Sequence, residues 1–172
     1  MATQRYNISG ELTQRLIKAG DNYNVKKISL TNVQKVSKCK VDLYIQGAEL
    51  GKFYLLKGVE LPIGATLIYD NMRFPNGPLG YSLFIKLTDG ATFTLTGAID
   101  PTGTNTTVPG SGTAFLSELS VGDEIVVSGE TRIISGITSD TAATVSAAWG
   151  SDLANDTSPD CNPTALVDVI LY

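Results

Sequence analysis

The residues of this chain best suited to chemistry lie in one stretch, GSGTAFLSELSVGDEIVVSGE, at positions 110–130. Its glycines and hydroxyls, GSGT at 110–113, have the composition of an anion-binding loop. The stretch lacks the GxxxxGK[ST] pattern and the lysine that make a phosphate loop specific, and it precedes strand-like segments rather than a long helix. We therefore interpret it as an extended entry into a β domain, with Phe115 and Leu119 docking one turn apart.

Acidic residues in and after this stretch are the next candidates for chemistry. Glu118, Asp123 and Glu124 are of the kind that glycosidases pair for acid–base work, but the sequence does not fix their separation, and Val-Gly-Asp at 121–123 is typical of a turn. The segment SDLANDTSPD at 151–160 lacks the spacing and the terminal glutamate of a calcium loop. The sequence accordingly predicts no catalytic residue, no metal site and no cofactor.

Histidine is absent from the 172 residues, and only two cysteines are present. The lack of histidine removes the commonest general base and metal ligand, together with every Ser-His or Cys-His arrangement. Cys39 and Cys161 fit no zinc-binding spacing. We interpret Cys39 as a core residue and Cys161, in SPDCNP, as a loop thiol, with a disulfide between them left open. These observations favour a protein that is not an enzyme.

Basic residues crowd into the segment VKKISLTNVQKVSKCK. They are Lys26, Lys27, Lys35, Lys38 and Lys40. These five lysines form either a solvated strand face or a set of assembly contacts with an acidic partner surface. Aromatic residues are not interleaved among them for base stacking, so the sequence predicts no sequence-specific nucleic-acid binding.

Charge is divided unevenly along the chain, whose net charge is −4. Residues 1–90 contain twelve Lys/Arg and seven Asp/Glu, a net +5, whereas residues 91–172 contain one and ten, a net −9. Such asymmetry suggests two units with different neighbours. No apolar run reaches the roughly 18 residues of a membrane helix, and MATQRYNISG lacks the apolar stretch of a signal peptide. We therefore expect a soluble protein that is not exported.

Period-two alternation predicts that the first half of the chain forms successive strands. The segment KCKVDLYIQG alternates cleanly between two faces. Its inward residues are Cys39, Val41, Leu43 and Ile45. Its outward residues are Lys38, Lys40, Asp42 and Tyr44. YSLFIKLTDG alternates in the same way, Pro62 and Gly64 mark a turn, and ELTQRLIKAG is either a short helix or a strand.

From Ala91 the composition changes to Gly, Ser, Thr, Ala and Asp, with short strands that suit a small barrel. A hairpin is predicted around SGE, and SDT is predicted to form the next turn. The final TALVDVILY resembles the first half again and is predicted to pair back into it, beside YSLFIKL. The sequence thus predicts an all-β protein: an antiparallel β-sandwich, Ig-like or jelly-roll-like, over 1–90 plus 164–172. A small barrel-like acidic β domain, 91–163, is inserted into it.

Two parts of the sequence resemble proteins of tailed bacteriophages. ISLTNVQKVSKCKVDLYIQ, KFYLLKGVELPIGATLIYDNMRF and YSLFIKL together resemble a small β-sandwich virion protein of phages that infect cyanobacteria and other marine bacteria. GSGTAFLSELSVGDEIVVSGETRIISGITSDTAATVS resembles a β module found in phage structural proteins. Neither pattern is catalytic, and neither carries a defined site.

The resemblance implies a non-enzymatic virion structural protein, assembled in the host bacterial cytoplasm. A head decoration or cement protein in many copies is the first interpretation, and a neck, tail or fibre component is the alternative. Its partners would be other virion proteins and copies of itself, with no membrane involved. A second class of function stays open, a carbohydrate- or host-surface-binding module in which Trp149, Tyr81 and Tyr69 line a sugar platform.

Overall fold

The computed structural model describes residues 3–47, 51–72, 74 and 80–172. In this part of the chain, strands dominate and one short helix is present, which confirms the all-β class. The chain separates into two compact units. The first unit comprises Met1–Gln34, Lys38–Asp89 and Ala165–Tyr172, and the second comprises Lys35–Ser37 and Gly90–Thr164.

In its described residues, the first unit consists of two four-stranded antiparallel sheets. Sheet I contains, in spatial order, β1 (Gln4–Ser9), β15 (Leu166–Leu171), β3 (Ile28–Asn32) and β6 (Thr66–Tyr69). Sheet II contains, in spatial order, β2 (Gln14–Ile17), β7 (Ser82–Thr88), β4 (Cys39–Gln46) and β5 (Lys52–Leu61). The ambiguous segment ELTQRLIKAG is therefore a strand at its centre, and Pro62 and Gly64 lie in the predicted turn between β5 and β6.

Alternate residues of both sheets meet in one hydrophobic core, as in a β-sandwich. Leu30 and Val169 contribute from sheet I, and Val41 and Ile85 from sheet II, each with at most 1% of its surface exposed. Each such side chain stabilises the fold by about 1.5–3 kcal/mol relative to an exposed position. The alternation read from the sequence therefore identifies the inward face of these strands correctly.

The C-terminal strand β15 occupies an interior position of sheet I. It pairs with β1 along Gln4–Ser9 and with β3 along Ile28–Asn32. The prediction that this segment returns to the sandwich is confirmed, but the predicted neighbour is wrong, because β7 lies in sheet II between β2 and β4. Alternation specifies which face of a strand is buried, and every strand of a sandwich satisfies that requirement equally well.

The second unit contains seven strands and the helix α1 (Phe115–Glu118). The strands are β8 (Phe93–Thr94), β9 (Ala98–Ile99), β10 (Thr107–Ser111), β11 (Glu124–Val127), β12 (Glu130–Ser139), β13 (Ala142–Val145) and β14 (Asp160–Asn162). Their spatial order is β8-β14-β11-β12-β13-β10-β9, so β8 and β9 are the two ends of an open order. Closure of this sheet into a barrel stays a prediction.

Both turns predicted in this unit are confirmed. Ser128 and Gly129 connect β11 to β12 with φ values of 50° and 85°, the left-handed backbone that two-residue hairpin turns require. Asp140 and Thr141 connect β12 to β13. The predicted docking of Phe115 and Leu119 is also confirmed, because both side chains are fully buried in the core of the second unit.

The two cysteines are buried and free, so they form no disulfide with each other. Cys39 lies in the core of the first unit as predicted. The prediction of a loop thiol at Cys161 is wrong, because this residue belongs to β14 and its side chain is fully buried. Burial, with a smaller contribution from Asp89, raises the pKa of Cys39 to about 11. Burial also raises the pKa of Cys161, with Asp123 adding to the effect.

We expect both thiols to resist a water-soluble disulfide reagent in the folded protein at pH 8. Both are then protonated and shielded, whereas the thiolate is the reactive species. Ellman's reagent releases one coloured thionitrobenzoate for each thiol that reacts. The native protein should react only as it unfolds, whereas the protein unfolded in urea should release two equivalents of thionitrobenzoate. Folding raises the pKa of the Cys39 thiol from its usual 9.0 to about 11. The protonated thiol therefore contributes fully to the stability of the fold below pH 9.0, and this contribution is lost as the pH rises through about 11.

Fast labelling of either cysteine in the native protein would contradict this prediction. A failure to label in urea without a reductant would indicate a disulfide instead.

Deleting residues 92–162 and joining the ends with a short Gly/Ser loop should leave the first unit folded. The deletion preserves β1–β7 and β15, and the Ala165 N–H lies 2.7 Å from the Asp89 carboxylate, so the two ends are close enough to join. A fragment of residues 1–90 should not fold, because without β15 the edges of β1 and β3 stay unpaired. Circular dichroism and a cooperative urea transition measure both outcomes. A folded 1–90 fragment beside an unfolded deletion variant would contradict the closing role of β15.

Candidate functional site

The glycine-rich segment at 110–113 begins in β10 and is hydrogen-bonded to the turn between β12 and β13. The N–H of Gly110 donates to the Thr141 carbonyl, and the N–H of Phe115 donates to the Asp140 carbonyl. The N–H of Leu116 donates to the Asp140 carboxylate at 3.0 Å. Gly110 is required because a Cβ there would collide with the side chain of Thr113. Gly110 and Ser111 also pair with β9 as the end of strand β10, in agreement with a structural role.

Two of the three carboxylates considered for catalysis are held by backbone amides of different segments. Glu118 accepts a hydrogen bond from the Thr96 N–H at 2.9 Å. Asp123 is fully buried and accepts from the N–H of Ser120 at 2.7 Å and of Thr164 at 2.9 Å. Glu124 is exposed on β11. Glu118 and Asp123 thus close a turn and connect segments, as expected for groups that form charge-assisted hydrogen bonds.

The acidic segment 151–160 is organised in the same way. Asp156 accepts from the N–H groups of Ser128 at 2.6 Å and Ser158 at 2.9 Å, and Asp160 accepts from the Thr94 hydroxyl at 2.9 Å. Across the described ranges, no three histidine, cysteine, aspartate or glutamate side chains are grouped so that they could hold a metal ion. Much of the acidity of the second unit thus serves its loop hydrogen bonds.

Replacing Asp123 by asparagine should lower the free energy of unfolding by about 1–3 kcal/mol, the cost of leaving one buried donor unsatisfied. The amide nitrogen cannot accept a hydrogen bond, so the N–H of either Ser120 or Thr164 loses its acceptor. Urea unfolding of the full chain measures the effect. Glu124→Gln is the matched control on the exposed neighbour and should change stability by less than about 0.5 kcal/mol. Equal effects of the two substitutions would contradict the role of Asp123.

The five candidate assembly lysines do not form one cluster in the structure. Lys26 and Lys27 directly precede β3 in sheet I, and the Lys27 ammonium lies 4.4 Å from the centroid of the Tyr172 ring. Lys38 and Lys40 flank Cys39 at the start of β4 in sheet II. Lys35 belongs to the short segment grouped with the second unit. Their role in assembly stays a prediction, and the structure separates them into at least two surfaces.

Lys38 and Lys40 share an acidic neighbour on β5. The Lys38 ammonium lies 2.8 Å from the Glu60 carboxylate, and Lys40 pairs with Glu60 in the strand register. The hydrogen bond and charge of Lys38 lower the pKa of Glu60. Because the pair is solvent-exposed, its contribution to stability is small and decreases with salt.

Sheet II carries an aromatic row on the face that points away from the core. Tyr44 of the central strand β4 pairs in the strand register with Phe84 of β7 on one side and with Tyr54 of β5 on the other. Tyr44 and Phe84 stack at 5.4 Å with an interplanar angle of 15°, and Tyr44 and Tyr54 meet at 5.5 Å and 52°. Tyr44 is only 3% exposed although it is not part of the core cluster, so its neighbours on the outer face bury it.

Basic side chains surround the aromatic row. The ammonium groups of Lys52 and Lys57 lie 4.7 Å and 5.0 Å from the ring centroids of Tyr44 and Tyr54. Cation–π contacts of this kind contribute about 0.5–1 kcal/mol at exposed positions. Arg15 of β2 is opposite Phe84 in the register and extends the row by one strand. The outer face of sheet II therefore combines stacked rings with several cations.

The five lysines do not point to this face, because no aromatic residue is interleaved with them in the sequence. The alternation of the two segments could have indicated this face, because Tyr44 and Phe84 both occupy outward positions of cleanly alternating strands. The position of Tyr54 needed the structure, because irregularities in the β4–β5 pairing shift the register. Val41 pairs with Val59, so an unshifted ladder would place Leu56 rather than Tyr54 opposite Tyr44.

The sugar platform suggested for Trp149, Tyr81 and Tyr69 is wrong. Trp149 is 1% exposed in the core of the second unit, where its indole N–H donates to the Thr107 carbonyl at 3.2 Å. Tyr81 and Tyr69 are partly buried against the core of the first unit. Tryptophan is a large side chain that is highly buried on average, so a single tryptophan in a small domain more often fills the core than forms a surface ring. The sequence around Trp149 does not indicate which of these two positions the side chain occupies.

Comparison with protein-family models, with curated proteins and with solved structures gave no match to this chain. Among the described residues, no helix has the length and apolar character needed to cross a membrane.

Proposed function

We propose that this chain is a non-enzymatic structural protein of a tailed-bacteriophage virion, a decoration or cement protein of the head. Support comes from the resemblance of its two parts to phage structural sequences. It also comes from an all-β architecture with one core in each of two units. A position in the neck, tail or fibre is the alternative within the same class.

Opposite charge on the two units is the observation that carries the proposal. The first unit contains eleven Lys/Arg and eight Asp/Glu, a net +3, and the second contains two and nine, a net −7. A basic unit of one copy can therefore meet an acidic unit of the next copy, or an acidic surface of another virion protein. Such heterologous contacts generate rings or lattices when the rotation closes.

Imaging of purified phage particles tests this proposal. We expect the protein at repeated lattice positions on the capsid surface, because one small two-unit chain is suited to many equivalent contacts. An axial ring at the neck or along the tail would support the alternative position. Absence of the protein from the particle would contradict the proposal.

Lysine variants separate the two basic surfaces in the same experiment. The pairs Lys26→Gln with Lys27→Gln, and Lys38→Gln with Lys40→Gln, each remove two charges from one surface, and Arg5→Gln removes an exposed charge of β1 as the control. Loss of incorporation into particles by one lysine pair, with Arg5→Gln retained, would identify the assembly contact. Equal incorporation of all variants would exclude these lysines.

A further inference from the structure

A cavity of about 310 Å³ lies at one end of the aromatic row. The cavity is lined by residues of three neighbouring strands of sheet II. They are Arg15 of β2 and Lys18 just after it, Gln46 of β4 and Gly47 just after it, and Ser82 and Phe84 of β7. Its volume is at the lower end of the range of about 300–1,000 Å³ for small-molecule sites. The space therefore suits one ring-sized group rather than a large ligand.

Phe84 gives this cavity an aromatic wall. One side of its ring packs on Tyr44 in the stacked geometry of the aromatic row. Phe84 also lines the cavity, so this residue belongs both to the aromatic row and to the cavity. An aromatic face carries partial negative charge and attracts polarised C–H groups, such as those on the face of a sugar ring.

Polar groups of the cavity suit an anionic, hydroxyl-bearing ligand. The Arg15 guanidinium makes no hydrogen bond or ion pair with any other described residue, so its five donors are available to a carboxylate. Lys18 adds a second cation. The Ser82 hydroxyl accepts from the Ala19 N–H at 2.9 Å and keeps its own proton to donate. The Gln46 amide supplies both a donor and an acceptor.

We propose that this cavity binds an acidic sugar residue of a polysaccharide, with the sugar ring against Phe84 and its carboxylate on Arg15. The same cavity is less suited to single-stranded nucleic acid, which stacks successive bases on successive exposed rings. Here the rings stack on one another, and Tyr44 is 3% exposed. An acidic protein segment would pair with Arg15 but would leave the aromatic wall without a flat partner. The proposed sugar site is independent of the position that the protein would occupy in a phage particle.

Titration calorimetry of the full chain with a hexamer of galacturonic acid tests the proposal. We expect saturable binding that weakens with salt, and no binding of maltohexaose, which has the same ring size without the carboxylate. Arg15→Ala should weaken binding by at least about tenfold, since a hydrogen-bonded charge contact is lost. Phe84→Leu should also weaken it, because the apolar contact stays but the flat wall is removed.

Lys40→Ala is the matched control, a cation on the same face of sheet II about 20 Å along β4 from Gln46. It should leave the affinity within about twofold, as expected for a charge outside the site. Equal losses in Arg15→Ala and Lys40→Ala would overturn the proposal in favour of diffuse polyanion binding. Tighter binding of a thymidylate hexamer than of the acidic sugar would overturn it in favour of nucleic acid. The absence of any binding of the galacturonate hexamer would also overturn it.

Discussion

The pairing of the C-terminal strand between β1 and β3 is the constraint on which the first unit depends. Backbone groups inside a sheet must be paired, and β15 provides partners for both of its neighbours at once. Its buried residues Val167, Val169 and Leu171 also complete the core. The first unit is therefore finished only after the whole second unit has been synthesised, and this non-local closure favours slow folding.

Aspartates bind two successive backbone amides where the chain leaves the second unit and re-enters the first, each within its own unit. The N–H of Thr164 is bound by Asp123 of the second unit, and the N–H of Ala165 is bound by Asp89 of the first unit. Two successive amides are thus held by two carboxylates, one on each side of the boundary. The same use of carboxylates recurs at Asp156 and Asp140, so the acidity that first resembled a catalytic or calcium site stabilises loops.

The outer face of sheet II carries stacked rings with cations beside them. Tyr44 is buried on this face by other rings and by Lys52, away from the core. Cross-strand ring pairs and cation–π contacts of this kind stabilise the sheet. The aromatic row therefore supports the neighbouring cavity, where Phe84 and Arg15 meet. The proposed charge-based assembly and the proposed sugar site use different surfaces, if the assembly contact lies at Lys26 and Lys27.

The sequence pattern placed Cys161 of β14 in a loop and left β2 open between helix and strand. Local pattern was enough to predict the cleanly alternating strands, the turns at Gly129 and Asp140, the docking of Phe115 and Leu119, and the inward faces around Val41 and Leu43. Each of these follows from period-two alternation or from turn chemistry over a few residues. Only the tertiary structure decided three further features. These are the neighbours of β15, the burial of Cys161 and Trp149, and the position of Tyr54 beside Tyr44 in the aromatic row. Burial and strand register depend on partners distant in sequence, and irregularities in the β4–β5 pairing exchange Leu56 for Tyr54 without changing any local signal.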